Sequence, residues 1–196
     1  MLPHPLILAS TSRYRRALLE KLALPFTCVA PAVDEIALPG ESAKQLAGRL
    51  ASAKAQAVGV EHDQAWIIGS DQTCACDDQI LGKPGTAQAA FEQLSLLSGR
   101  RVDFHTGLCL WQDADHYQLA VETFTVEFRS LTPDQIRRYI EIELPLDCAG
   151  SFKNEGLGIC LFNGLHGRDP NTLTGLPLIL LTDMLVQWGV TLPLQG

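Results

Sequence analysis

A chain of 196 residues that is 46% hydrophobic and 19% charged is long enough to bury a substantial core, as one compact domain or a two-lobed one. Its net charge of −7 and pI of about 5.1 exclude a nonspecific nucleic-acid binder, which needs a broad basic face. Positive charge that matters here must be local. Leu6 to Leu8 reads as a short strand, and Arg13 to Ala23 as a helix, because Ala17, Leu18, Leu19 and Leu22 recur at helical spacing. Ser10, Thr11 and Ser12 mark the helix start. Arg13, Arg15 and Arg16 then crowd the first turn, where the macrodipole disfavours each cation by about 0.3–1 kcal/mol. Free N–H groups, hydroxyls and guanidinium groups together make either a strong anion site or a solvated basic face.

A strand near Phe26–Val29 leads into the loop "PAVDEIALPGES", where Glu35, beside Asp34, can hold a hard cation through oxygen. A helix from Ser42 to Val58 puts Leu46, Ala47, Leu50, Ala51 and Val58 on one face. Lys54 falls on that apolar stripe, either snorkelling at the core's edge or placed there for its charge. "AWIIGSD" reads as a short buried strand that leaves Asp71 at a carboxyl end of the sheet, where α/β proteins bind ligands, unless it only caps a turn. Asp77-Asp78 marks a hairpin turn before Ile80-Leu81. In "LGKPG", Lys83 sits in a turn where backbone can approach a ligand, though the glycine spacing is not that of a Walker loop.

A helix over Thr86 to Leu97 precedes two long strands, Val102–Trp111 and Tyr117–Phe128, joined by "QDADH". Phe124, Val126 and Phe128 alternate with polar residues, so one face is buried. Thr132-Pro133 opens a helix over 133–142, and "LILLTDMLVQW" closes the chain as another. Interleaved strands and helices with an antiparallel hairpin predict an α/β fold with a mixed sheet. The six scattered cysteines read as reduced, structural thiols, with Cys74 and Cys76 on the same side of a strand. No secretory signal or membrane span is apparent, which predicts a cytoplasmic chain. No Gly-x-Ser-x-Gly or matched Cys/His pattern supports a serine or cysteine hydrolase. Local cations, hydroxyls and a few carboxylates are instead what hydrolysis of a nucleoside triphosphate requires: neutralised phosphates and a carboxylate to take a proton from water.

"LILASTSRYRRALL", "VDE", the Ala51–Ala55 segment "ASAKA", "IIGSDQ", "GKP", "HTG" at His105–Gly107, "CAGSFKNEG" and "GRDPNTLTGLPL" resemble, in order and spacing, the Maf family of nucleotide pyrophosphatases over nearly the whole chain. The resemblance implies cleavage of nucleoside triphosphates to monophosphate and pyrophosphate with a divalent metal, Mg or Mn. It also implies a homodimer whose chain folds as a twisted mixed sheet with flanking helices and a central cleft, similar to inosine triphosphatase. By motif, Asp71 resembles the proton acceptor, Ser10, Arg15, Lys54 and Lys83 the phosphate contacts, and Glu35 a member of the metal or catalytic cluster. The family branch cleaving dTTP and UTP typically has arginine at position 14, threonine at 72 and glutamine at 155. Tyr14, Gln72 and Glu155 are instead similar to the branch acting on 7-methyl-GTP. Methylation at N7 makes guanine cationic, which an aromatic face attracts, and a carboxylate accepts hydrogen bonds from the base's N1–H and N2–H. Arg13 stands where the family usually has proline, and Tyr14 where this branch commonly has tryptophan; Arg13 then adds a charge near the phosphates or points to solvent. A dTTP, UTP or other modified-nucleotide pyrophosphatase is the nearest alternative. A nucleotide-binding regulator of septum formation, which the family's links to division suggest, is another.

Overall fold

The computed structural model describes residues 2–77 and 79–194. The buried run Leu6–Ala9 forms β1, and Ser12 caps the helix that follows, its Oγ accepting the Arg15 N–H at 3.3 Å. That helix, α1 (Arg13–Glu20), stops three residues short of the predicted Ala23, which adopts a left-handed φ of 51° in the turn beyond. β2 (Thr27–Val29) lies parallel to β1. Ser42 and Gln45 form a reciprocal capping box at the start of α2 (Ala43–Gly59).

β3 (Trp66–Cys76) is longer than "AWIIGSD" predicts. Its first residues run parallel to β1, from Leu6↔Trp66 to Ala9↔Gly69. The same strand pairs antiparallel with β5 (Arg101–Trp111), and its last residues with β4 (Gln79–Leu81). Asp77 takes the left-handed φ of 47° that suits the predicted hairpin turn; Asp78 lies outside the described residues. β6 (Tyr117–Phe128) pairs with β5 from Tyr117 to Glu127, as two long strands joined by a turn predict.

α3 (Ala87–Leu97) and α4 (Pro133–Glu143) match their predicted positions, and β7 (Phe162–His166), α5 (Asn171–Thr174) and α6 (Leu178–Gln187) complete the described elements. The described residues form a mixed sheet in the order β2-β1-β3-β5-β6-β7, with β4 attached to β3. β7 and the single-turn α5 carry no periodic signal of their own: "FNGLH" alternates poorly and is ordered by its pairing with β6.

Three apolar clusters cover this sheet. Leu6, Leu8, Trp66, Ile68, Leu108 and Leu110 meet α1 and α6 on one face. Ile7, Ile67 and Cys109 meet Ala51, Ala55 and Val58 of α2 on the other. Farther along the long strands, Phe104, Phe124 and Phe128 pack with residues of α3 and α4. α2 rests directly on the strands at two glycines. A Cβ on Gly69 would fall 2.2 Å from the Ala51 carbonyl oxygen, and one on Gly107 would fall 2.2 Å from that of Ala47. Only glycine permits so close an approach, and that approach sets the position of Lys54. Among the described residues no helix is long and apolar enough to cross a membrane.

Candidate active site

A cleft of about 830 Å³ opens between the α1/α2 part of the molecule and the segments around Lys83 and residues 147–155. Asp71 lies on its floor. It does not end a strand, as the sequence suggests: it is in the middle of β3, directly across from Gly107 of β5. β1 nevertheless stops at Ala9, level with Gly69, so Asp71 lies just past the carboxyl end of the parallel strands. Ligand sites favour that place in an open sheet.

Lys54 reaches Asp71 from α2, with Nζ 2.6 Å from Asp71 Oδ1, and it also ion-pairs with Glu35. At 6% and 8% exposure, Lys54 and Asp71 are both buried, so Lys54 is no snorkelling side chain at the core's edge. A buried ammonium held by two carboxylates is a structure built around charge. The hydrogen bond from Lys54 holds the Glu35 carboxyl below the usual carboxylate range; partial burial opposes it, and the Lys54, Lys83 and Arg15 charges add to the lowering.

The three arginines of α1 separate. Arg15 turns into the cleft, where its Nε donates to the Gly175 carbonyl at 2.8 Å. Burial lowers the Arg15 pKa, while Asp71 and Glu35 oppose that shift; a guanidinium stays charged at neutral pH all the same. Arg16 points away and pairs with Glu20 one turn on, both exposed, as a solvated helix pair. Arg13 is exposed at the edge of the same cleft, and its Nη2 donates to the Tyr14 hydroxyl at 2.8 Å.

Ser10 is buried at the cleft wall, its Oγ accepting the Ser12 N–H at 3.1 Å, and no acceptor among the described residues takes its hydroxyl proton. Lys83, exposed, lines the cleft opposite. The structure therefore brings Ser10, Arg15, Glu35, Lys54, Asp71 and Lys83 to one cavity.

Tyr14, Gln72 and Glu155 line the same cavity. The Gln72 amide nitrogen donates to Thr106 Oγ1 at 3.1 Å, the Thr172 carbonyl at 2.8 Å and the Leu173 carbonyl at 3.1 Å. Among the described residues no donor reaches its Oε1, so the side chain is fixed as an acceptor. Glu155 is exposed on a segment held from both sides: the Tyr139 hydroxyl accepts the Lys153 N–H at 2.9 Å, and Glu143 Oε1 accepts the Leu157 N–H at 2.6 Å.

Sequence reasoning did not single out these supports, nor Asp147 and Asn154 in the cleft wall. Asn154 stands inside "CAGSFKNEG", a motif that points to it; nothing local marks Glu143, which acts across the fold. Nor does it mark Arg49, which grips Glu41 at 2.6 and 2.8 Å and the Ile36 carbonyl at 3.0 Å, strapping the Glu35 loop to α2.

Among the described residues no group of three or more His, Cys, Asp or Glu side chains is gathered as a metal cage. Asp71 and Glu35 each pair one oxygen with Lys54 and, among the described residues, leave the other without a protein donor. A free carboxylate oxygen beside an open cleft is the kind of hard oxygen ligand that Mg²⁺ or Mn²⁺ would take.

The sequence profile of the Maf-like protein family matches residues 5–188. The chain is 54% identical to the 7-methyl-GTP pyrophosphatase of Idiomarina loihiensis over 95% of this chain and 96% of that protein. It is 55% identical to the protein of the same name from Pseudoalteromonas atlantica, over 94% and 95%, and 54% identical to that from Alcanivorax borkumensis, over 96% of each. In fold it is similar to the Ham1 protein of Staphylococcus aureus, with a TM-score of 0.53 and 14% identity over 94% of this chain and 99% of that one. A HAM1 protein from Coxiella burnetii gives 0.52 and 16% over the same shares.

Proposed function

The chain belongs to the Maf-like protein family, and from that membership, its relatives' activity and the chemistry of the cleft we propose that it hydrolyses 7-methyl-GTP to 7-methyl-GMP and pyrophosphate. One observation carries the chemistry: a buried carboxylate, Asp71, held by Lys54 at 2.6 Å on the floor of a cleft that also holds Arg15 and Lys83. Water attacks the α-phosphorus, the α–β anhydride bond breaks, and the electron pair leaves with pyrophosphate. Asp71 takes the proton from the attacking water through the oxygen that Lys54 leaves free. Lys54, Arg15 and Lys83 oppose the charge that builds on the phosphates, and the Ser10 hydroxyl donates to a phosphate oxygen. Glu35, through the oxygen that Lys54 leaves free, would hold a divalent cation, Mg or Mn, which supplies further neutralisation of the triphosphate.

Three side chains of the cleft suit the base. Glu155 accepts from guanine N1–H and N2–H, Gln72 Oε1 offers a second fixed acceptor, and the Tyr14 ring favours a positively charged base. Pyrimidines present no matching pair of donors and leave the carboxylate poorly satisfied. Clearance of modified nucleotides before they enter RNA is the role this activity suits, and it needs no membrane.

Pyrophosphate release from 7-methyl-GTP, GTP, dTTP and UTP, each with magnesium and with manganese and after chelation, tests substrate and metal together. Equal turnover of dTTP and 7-methyl-GTP removes the base reading, and full activity in excess chelator removes the metal. Asp71→Asn is expected to lower kcat by about 10²–10⁴-fold with the circular dichroism spectrum unchanged. Near-wild-type turnover in that variant ends the proton-acceptor role.

A further inference from the structure

Arg13 is the first residue of α1, where a cation is disfavoured, and nothing in the phosphate-facing set uses it. Its guanidinium carbon lies 4.8 Å over the centroid of the half-buried Tyr14 ring, within cation–π range, and its Nη2 donates to the Tyr14 hydroxyl at 2.8 Å. Both side chains line the cleft, with Asp147 and Glu155 in the same wall system. The Tyr14 hydroxyl bond first, and Asp147 and Cys148 to a smaller extent, favour the charged guanidinium over its slight desolvation. The Tyr14 ring assigned above to a cationic base therefore already carries a cation of the protein's own over one face.

We propose that Arg13 is a specificity-determining residue: an internal competitor that covers the Tyr14 ring in the free protein and must give up that place when an N7-methylated guanine stacks there. Any base that uses this face has to displace the guanidinium. A cationic base meets, in addition, the like charge of the displaced Arg13, so the penalty falls hardest on the substrate that Tyr14 otherwise favours. Arg13 thus weakens and levels base recognition, in the opposite sense to a phosphate contact. The inference rests on the proposed use of Tyr14 for a methylated base.

Phosphate-free probes separate the two. The affinities of 7-methylguanosine and guanosine, taken as inhibition constants and by titration calorimetry, are compared in the wild type, Arg13→Ala, Tyr14→Leu and the double variant. Arg13→Ala is expected to bind 7-methylguanosine about two- to fivefold more tightly, which is an exposed cation–π contact of ~0.5–1 kcal/mol converted at about 1.4 kcal/mol per tenfold. Guanosine should gain less, and in the Tyr14→Leu background the Arg13 substitution should have no effect on either nucleoside. Weaker or unaltered binding of 7-methylguanosine by Arg13→Ala, or a gain that survives without the Tyr14 ring, overturns the inference while leaving the base reading intact. An Arg13→Ala variant that binds 7-methylguanosine no better than guanosine overturns the base reading and the competitor role with it.

Discussion

Lys54 holds two carboxylates at once, Asp71 and Glu35, from a position buried beneath α2. Replacing it with methionine keeps the volume and removes the charge, which leaves Asp71 without its hydrogen-bond donor at the base of the cleft. Lys54→Met is therefore expected to lower stability by about 1–3 kcal/mol, nearer the lower figure because water can enter the cleft. Adding Asp71→Asn should recover part of that loss, and urea denaturation of the two single variants and the double one measures the coupling. At this scale the sequence is suggestive without being decisive. A lysine on an apolar helical stripe is odd enough to notice, but its reason, an aspartate 17 residues on, comes from another element. Arg13, Arg15 and Arg16 make the same point: the crowding is visible in "RYRR", while the separation into ring, cleft and solvent depends on which neighbours the fold supplies.

Two element contacts position the site. α2 reaches Asp71 because Gly69 and Gly107 let its backbone rest on the sheet. In Gly107→Ala the new methyl would meet the Ala47 carbonyl, a backbone atom that cannot rotate away, so the helix must lift. A loss of about 1–3 kcal/mol is expected from the denaturation midpoint, with kcat falling further than stability explains as Lys54 and Asp71 draw apart. The second contact is the strap formed by Arg49 and Glu41 over the Glu35 loop. Arg49→Gln is expected to lower kcat by about tenfold or more through misplacement of Glu35, measured against KM in steady-state assays. Hydrogen bonds from Arg49 and then from the Leu38 N–H pull the Glu41 carboxyl from 4.5 down to about 2. A carboxyl with a folded pKa below its unfolded one contributes stability that is fully present above about 4.5 and is lost as pH falls towards 2. A side-chain NMR titration should accordingly find Glu41 still ionised at pH 3 in the wild type and titrating at higher pH in Arg49→Gln, where only the Leu38 N–H still lowers it.

At the scale of the whole molecule, the cleft draws its groups from both ends of one strand, because β1 pairs with the first residues of β3 and β4 with its last. Arg15 and Lys54 come from the helices beside β1, and Lys83 from the chain just after β4. A nucleotide bound across it ties the two ends together. A non-hydrolysable analogue at about 100 times its Kd should stabilise the fold by about 2.7 kcal/mol. Arg15→Ala and Lys83→Ala should each reduce that thermal shift at fixed analogue concentration. A shift sensitive to only one of them would place the phosphates at one end. The sequence by itself determined most of the helices and strands, because 3.6-residue and two-residue periodicities, caps and breakers are local, and it determined which residue types gather in the motifs. The tertiary structure alone decided that β3 runs on past Asp71, that β7 and α5 exist, and which partner each charge meets. Ordering a segment such as "FNGLH", or matching Lys54 to Asp71, draws its free energy from neighbours far away in the chain, and no local pattern records them.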